Sequence, residues 1–377
     1  MRITIDARSI RTPVHGIGRY TAVLLHGLAQ VAPDLPLNVL VDGADGADAL
    51  IPGLCRSPGV SWRWVKADFP VNSVAKNMLL LPRLLRRLST GVFHTPDTYC
   101  LPRGPYRSVV TLHDVIPLTH RQYLGGLKAR HAWLWRRWLI ATASRASAVV
   151  TVSDVSRQEI HRELGTDLSK IHRIYNGVVG PTLPEGQLLQ LPPALGAIEP
   201  FLLYVGRHDP YKNLCGMILA FEKFLREAGG NWNFVIAGPP DARYQEPQNL
   251  AKRLGLESRV HFAGYVGDDV LDLLYRRARV LMLPSLMEGF GLPMIEAMIR
   301  GTPVLTSRNG ATAEIAQGAA ALVDPACVDS IVQGLKNVLL DPDNAMKLAQ
   351  AGRIRASEFT PQRMAQQHLE LYQSLMR

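Results

Sequence analysis

Short apolar runs alternate along this chain with longer stretches whose apolar positions return every three or four residues. In the first half the runs fall near 2–6, 37–42, 60–66, 92–95, 108–112 and 148–152, with helical patterns at 18–31, 72–89, 126–145 and 154–165 between them. Such β/α alternation predicts a parallel sheet. A proline-rich stretch follows, from Pro181-Thr182-Leu183-Pro184 through Pro192-Pro193 to Pro200, and reads as a linker. A second alternation then places strands near 201–206, 233–237, 259–263, 279–283 and 303–306. The tail from Pro361 to Arg377 is helical by pattern. The expected organisation is therefore α/β in two Rossmann-like domains, 1–180 and 201–360, joined by a linker over 181–200.

Two strand-to-helix junctions of the second half carry candidate chemistry. One reads PSLMEGFGLPMIEAMIRG, from Pro284 to Gly301. An apolar run, a glycine-rich turn and a helix with proline near its start make a strand–loop–helix unit. In open α/β sheets such loops lie at the carboxyl ends of strands, where ligands bind. Glu288 falls on the loop and Glu296 about one turn into the helix, so two carboxylates can address two parts of one polyhydroxylated ligand. Backbone amides at the helix start, around Phe290, Gly291 and Leu292, attract anions and hydroxyls. The other junction reads Tyr204-Val205-Gly206-Arg207-His208-Asp209-Pro210-Tyr211-Lys212-Asn213. Arg207 offers a planar fork of donors and Lys212 a compact charge, a pair suited to a diphosphate.

The pairing of G-R-x-x-x-x-K-N with E-G-F-G-L-P-x-x-E-A resembles the retaining glycosyltransferases of family 4 (glycosyl transferases group 1). Ile3 to Arg8 with Gly16-Ile17-Gly18-Arg19-Tyr20 resembles that family's first strand and glycine loop. Thr111-Leu112-His113-Asp114 and Thr151-Val152-Ser153 resemble its other strand ends. The resemblance implies a GT-B fold, two Rossmann-like domains facing across a cleft, with the last helix crossing back to the first. It implies a hexosyltransferase that takes its sugar from a nucleotide sugar and retains anomeric configuration. By resemblance Glu296 holds the ribose hydroxyls and Glu288 a sugar hydroxyl. The amides of Gly16 and Gly18 face the donor diphosphate. Backbone near Gly238, Tyr265 and Val266 holds the base. His113 contacts the transferred sugar or helps place the acceptor, the first being favoured. No general base is assigned; Asp114 is the carboxylate nearest His113. The opening I-D-A-R and G-I-G-R-Y resembles members acting on bacterial surface polysaccharides, which favours GDP-mannose over UDP-sugars. A saccharide or lipid-linked saccharide is the expected acceptor.

Charge adds a second expectation. Residues 1–180 hold 23 Lys and Arg against 12 Asp and Glu, whereas residues 181–377 hold 19 against 20. The segments KNMLLLPRLLRR (76–87) and KARHAWLWRRW (128–138) concentrate the excess and mix it with leucine and tryptophan. That blend suits an anionic membrane surface. Nucleic acid is disfavoured, since no binding module is recognisable. The 377 residues, 47% of them apolar, suffice for two cores. No run is long enough to span a bilayer, and the chain enters a strand at once, so neither a membrane span nor a signal peptide is expected. Cys55, Cys100, Cys215 and Cys327 are scattered and form no C-x-x-C pair, which fits a reducing cytoplasm, at most at the inner face of its membrane.

Other signals exclude more than they assign. Thr21 stands where a dinucleotide fingerprint needs its third glycine, against a nicotinamide cofactor. Asp341-Pro342-Asp343 matches a D-x-D metal pattern but lies between helices, as a turn and cap. Asp42, Asp45 and Asp48 read as a loop. No metal or other cofactor is expected. Two further classes stay open: a GT-B enzyme of another reaction (a sugar-nucleotide epimerase or phosphorylase), and a non-catalytic nucleotide-sugar-binding subunit.

Overall fold

The computed structural model describes residues 2–10, 16–42, 62–98, 103–120, 132–180, 198–242 and 244–377. Asp45, Asp48, Cys55, Cys100, residues 128–131 and most of the expected linker lie outside them. The chain divides into two compact units. The first is Met1–Val179 with Phe359–Arg377, the second Gly180–Glu358.

The first unit is a seven-stranded parallel sheet. Its strands are β1 (Arg2–Asp6), β2 (Leu37–Asp42), β3 (Arg63–Ala67), β4 (Thr90–Thr95), β5 (Arg107–Thr111), β6 (Ala148–Thr151) and β7 (Ile171–Arg173), in the order β3-β2-β1-β4-β5-β6-β7. Runs such as Leu37–Asp42 and Ala148–Thr151 are buried almost throughout, as strands covered on both faces must be. One apolar cluster joins Leu112, Leu139, Val149, Ile160 and Ile171; another joins Leu40, Leu81, Leu85 and Phe93. The helix Pro361–Met376 packs on the helix Gly16–Val31. A Cβ on Gly27 would lie 2.1 Å from the Pro361 carbonyl oxygen, so only glycine allows this approach.

The expected single helix at 72–89 is two, Val74–Leu79 and Leu81–Arg87. Pro82 sits in the first turn of the second, where its missing N–H costs nothing. Arg8 anchors this region. Wholly buried, its guanidinium donates to Asp6 at 2.6 and 2.8 Å, to the Phe69 carbonyl at 3.2 Å and to Asn77 Oδ1 at 3.0 Å. Among the described residues no helix is long and apolar enough to cross a membrane.

The second unit is a six-stranded parallel sheet. Its strands are β8 (Phe201–Val205), β9 (Asn233–Ala237), β10 (Val260–Gly264), β11 (Val280–Leu283), β12 (Val304–Ser307) and β13 (Ala321–Val323), in the order β10-β9-β8-β11-β12-β13. The order reverses between β8 and β11, and open α/β sheets bind ligands outside the carboxyl ends of strands at such a reversal. Asp341 caps the helix Pro342–Ala356 by accepting from the Asn344 amide at 3.0 Å, the cap read from its sequence.

Candidate functional site

The loops leaving β8 and β11 carry the two motifs, and the sheet order makes them neighbours. Backbone ties them: the Leu286 amide donates to the Tyr211 carbonyl at 2.8 Å. Asn213, left-handed at φ 65°, sends its side-chain amide to the carbonyls of Pro284 at 3.0 Å and Pro325 at 2.7 Å. The Lys212 ammonium then reaches both oxygens of Glu288, at 2.7 and 2.8 Å. The Ser285 hydroxyl donates to Glu288 Oε1 at 3.0 Å. Only 18% of the lysine side chain and 10% of the glutamate side chain meet solvent, so the pair is largely desolvated and each charge depends on the other.

Arg207 shares the Lys212 loop but faces water. Its guanidinium donates to Asp209 Oδ1 at 2.9 Å, and Tyr211 donates to the other Asp209 oxygen at 3.2 Å. The Tyr204 hydroxyl donates to the Arg207 carbonyl at 2.8 Å and fixes the loop's start. Burial drives the Tyr204 phenol well above its ordinary pKa, so it remains a neutral donor. Glu296 lies in the helix Leu292–Ile299, which Gly291 caps. It is buried, and Oε2 accepts from the Tyr275 hydroxyl at 2.7 Å. Phe290 and Gly291 are buried at the same helix start, and Leu292 is half-buried.

The next loops complete the rim. The Gly206 amide donates to the Ala237 carbonyl at 2.9 Å and the Gly238 amide to the Gly264 carbonyl at 2.7 Å. At Gly238, φ is 142° and a Cβ would lie 1.9 Å from the Gly206 carbonyl oxygen. Tyr265, 61% exposed, and Val266 follow β10 directly. Thus Arg207, Lys212, Glu288, Gly238, Tyr265 and Val266 all lie on loops at the carboxyl ends of adjacent strands, and only Lys212 and Glu288 are joined by a direct bond.

The remaining expected site residues belong to the first unit. Gly16 and Gly18, read from sequence as a glycine loop, form the first turn of the helix Gly16–Val31, Gly16 exposed and Gly18 buried. The Thr21 hydroxyl donates to the Ile17 carbonyl at 2.9 Å within that turn. His113 follows β5. Its ring is held by a bond to the Pro96 backbone, and burial lowers its pKa to about 4, so it is neutral. Asp114 Oδ1 accepts from the Ile116 amide at 3.1 Å, the first amide of the short helix Ile116–Thr119.

Sequence reasoning missed Ser285, Asp209 and Tyr275. Ser285 and Asp209 stand within three residues of the groups they hold, and that spacing could have marked them. Tyr275 had no such signal.

The family described as "Glycosyl transferases group 1" matches residues 194–355, and "Glycosyltransferase Family 4" matches residues 14–179. The chain is 28% identical to O-antigen chain mannosyltransferase B of Escherichia coli over all of both proteins. It is 29% identical to the MMP alpha-(1->4)-mannosyltransferase of Mycolicibacterium hassiacum, over 76% of this chain and 71% of that one. Sucrose-phosphate synthase from Thermosynechococcus elongatus superposes with a TM-score of 0.77 at 20% identity, over 100% of this chain and 99% of that one. By the matches to both halves of its sequence, and by its fold, this chain belongs to the group 1 glycosyltransferases of GT-B fold.

Proposed function

We propose that the protein is a retaining, metal-independent hexosyltransferase of family 4. It moves mannose from GDP-mannose to a saccharide or lipid-linked saccharide acceptor in the building of a polysaccharide. The Lys212–Glu288 pair at the β8/β11 reversal carries this reading. In the reaction the anomeric carbon–oxygen bond breaks and its electrons pass to the departing diphosphate. Lys212 and Arg207 stabilise the new charge electrostatically, the work a bound cation does elsewhere. The acceptor oxygen bonds the same face of the anomeric carbon, and its proton passes to the leaving phosphate oxygen. Glu288 orients a sugar hydroxyl while holding Lys212, Glu296 takes the ribose, and backbone near Gly238, Tyr265 and Val266 lines the base. In the first unit, the amides opening the helix at Gly16 and Gly18 serve the diphosphate and His113 the sugar. The full-length likeness to an O-antigen chain mannosyltransferase supports mannose as the sugar.

A thermal-shift panel of nucleotide sugars tests the donor. GDP-mannose at about a hundred times its Kd should stabilise the protein by about 2.7 kcal/mol. Turnover with acceptor should survive chelation of divalent ions. Turnover of donor without any acceptor would instead point to an epimerase or a phosphorylase.

The first unit also supports docking at the inner, cytoplasmic face of an anionic membrane. Val74, Met78, Leu79 and Leu80 are exposed, Leu79 by 63%, beside exposed Lys76, Arg83, Arg86 and Arg87. Of the tryptophan-rich segment, Trp133 and Leu134 are exposed. Trp135 instead packs on the core, and Trp138 donates to the Thr98 carbonyl at 2.7 Å. Binding to phosphatidylglycerol vesicles should weaken with salt and with Leu79→Glu. Binding indifferent to both would remove this assignment.

A further inference from the structure

The first unit holds a buried polar chain that the reading above does not use. The Tyr20 hydroxyl lies 2.9 Å from Thr111 Oγ1 and 2.8 Å from His368 Nε2. His94 Nε2 lies 2.8 Å from the same Thr111 oxygen, and His94 Nδ1 2.6 Å from the Tyr372 hydroxyl. His368 Nδ1 lies 2.8 Å from the Met364 carbonyl. All five side chains are buried.

One carbonyl fixes every proton in the chain. Met364 can only accept, so His368 Nδ1 carries hydrogen. Burial lowers the His368 pKa to about 4, so the ring is neutral and Nε2 keeps its lone pair. Tyr20 therefore donates to His368. Having spent its hydrogen, Tyr20 accepts from Thr111. Thr111 in turn accepts from His94 Nε2, and His94, also neutral through burial, accepts at Nδ1 from Tyr372. Each group gives one hydrogen and none is left in conflict.

Within the chain, Tyr20 also packs against His113. The Tyr20 and His113 rings meet edge to face, with centroids 4.7 Å apart and planes at 89°. Thr111 stands two residues before His113, so Tyr20 holds one residue through its hydroxyl and supports the other with its ring. His113 Nε2 is covered and has no hydrogen-bond partner among the described residues. With Nδ1 given to Pro96, that nitrogen keeps a lone pair aimed by ring position alone.

We propose that Tyr20 is a positioning residue for His113, and that His368 holds Tyr20 in register. The kinetic half of this proposal rests on the reading that His113 meets the transferred sugar.

The test uses the full chain with 15N-labelled histidine. In the wild type, ring-nitrogen spectra at neutral pH should show His113 as one neutral tautomer with hydrogen on Nδ1. Tyr20→Phe keeps the ring and removes the hydroxyl; His368→Leu removes the acceptor. In both, the His113 signals should move toward the average of two tautomers, and kcat with GDP-mannose should fall by about ten- to a hundred-fold with KM unchanged. His368→Gln, whose amide oxygen can accept from Tyr20, should recover most of both. Folded Tyr20→Phe and His368→Leu proteins with wild-type His113 spectra would overturn the proposal. If His113→Ala turns over normally, the sugar-facing reading of His113 falls, while the spectra still decide whether Tyr20 and His368 position it.

Discussion

The two units are built on one plan and differ in where their most prominent polar groups lie. In the second unit the strands are packed with apolar side chains, and the charged groups Arg207, Lys212 and Glu288 stand on loops at the strand ends. In the first, polar side chains run through the interior: Asp6 with Arg8, and Tyr20, His94, Thr111, His368 and Tyr372. The difference follows from what each unit must hold. The second is continuous in sequence; its buried ties, Asp272 with Arg300 and Tyr275 with Glu296, join neighbouring helices, and charge at its rim remains available to a ligand. The first is assembled from two distant pieces of chain. Hydrogen bonds buried in a low dielectric specify one register where apolar contacts would tolerate several.

The largest effect should come from the rim. Lys212→Ala and Arg207→Ala should each slow turnover by about ten- to a thousand-fold, the range for losing a donor to developing charge. Arg207→Ala should leave stability nearly unchanged, because its ion pair is exposed. Lys212→Ala also strands Glu288, so Lys212→Met combined with Glu288→Gln should fold better while remaining inactive. Near-normal rates in both single variants would remove the leaving-group role.

Glycine substitutions should separate the units by stability. Gly27→Ala pushes the helix Pro361–Met376 away from the helix Gly16–Val31 and should cost about 1–3 kcal/mol in urea unfolding. Gly238→Ala meets the Gly206 carbonyl and a φ of 142°, and should cost a similar amount in the second unit.

Acid should act most on the first unit, where burial lowers His94, His113 and His368, and less through His208 and His261 of the second. His113 and His368 keep folded pKa values of about 4. As pH falls below about 6.5 the unfolded chain takes up protons that the folded chain refuses, so stability is lost from there down to about 4. The groups facing His368 are the neutral Tyr20, His94 and Tyr372, so nothing repays a charge there. By pH 5 each histidine should cost on the order of 1–2 kcal/mol. Melting curves at pH 7.5 and 5 should show it, and His368→Gln should reduce the loss.

Much of this was legible in the sequence. The apolar runs located eleven strands within a few residues, because parallel strands covered on both faces leave unbroken apolar text. The three-residue edge strands β7 and β13 were too short to register. Of the site, the loops of Arg207, Lys212 and Glu288 were readable from glycine, proline and charge placement. That Lys212 and Glu288 would touch depended on strand order, which no local pattern encodes. The hydrogen-bonded chain was unreadable: His94 and His368 lie 274 positions apart, and each alone resembles any core histidine.

The first unit's division into Met1–Val179 and Phe359–Arg377 has a consequence for biosynthesis. A nascent chain leaving the ribosome completes the whole of Gly180–Glu358 before the residues that close the first core are translated. Tyr20 and His94 must wait, without His368 and Tyr372, through that interval. Shortening the chain from Phe359 onward should therefore injure the distant N-terminal unit and spare its neighbour, and a chaperone would find its substrate at the beginning of the polypeptide.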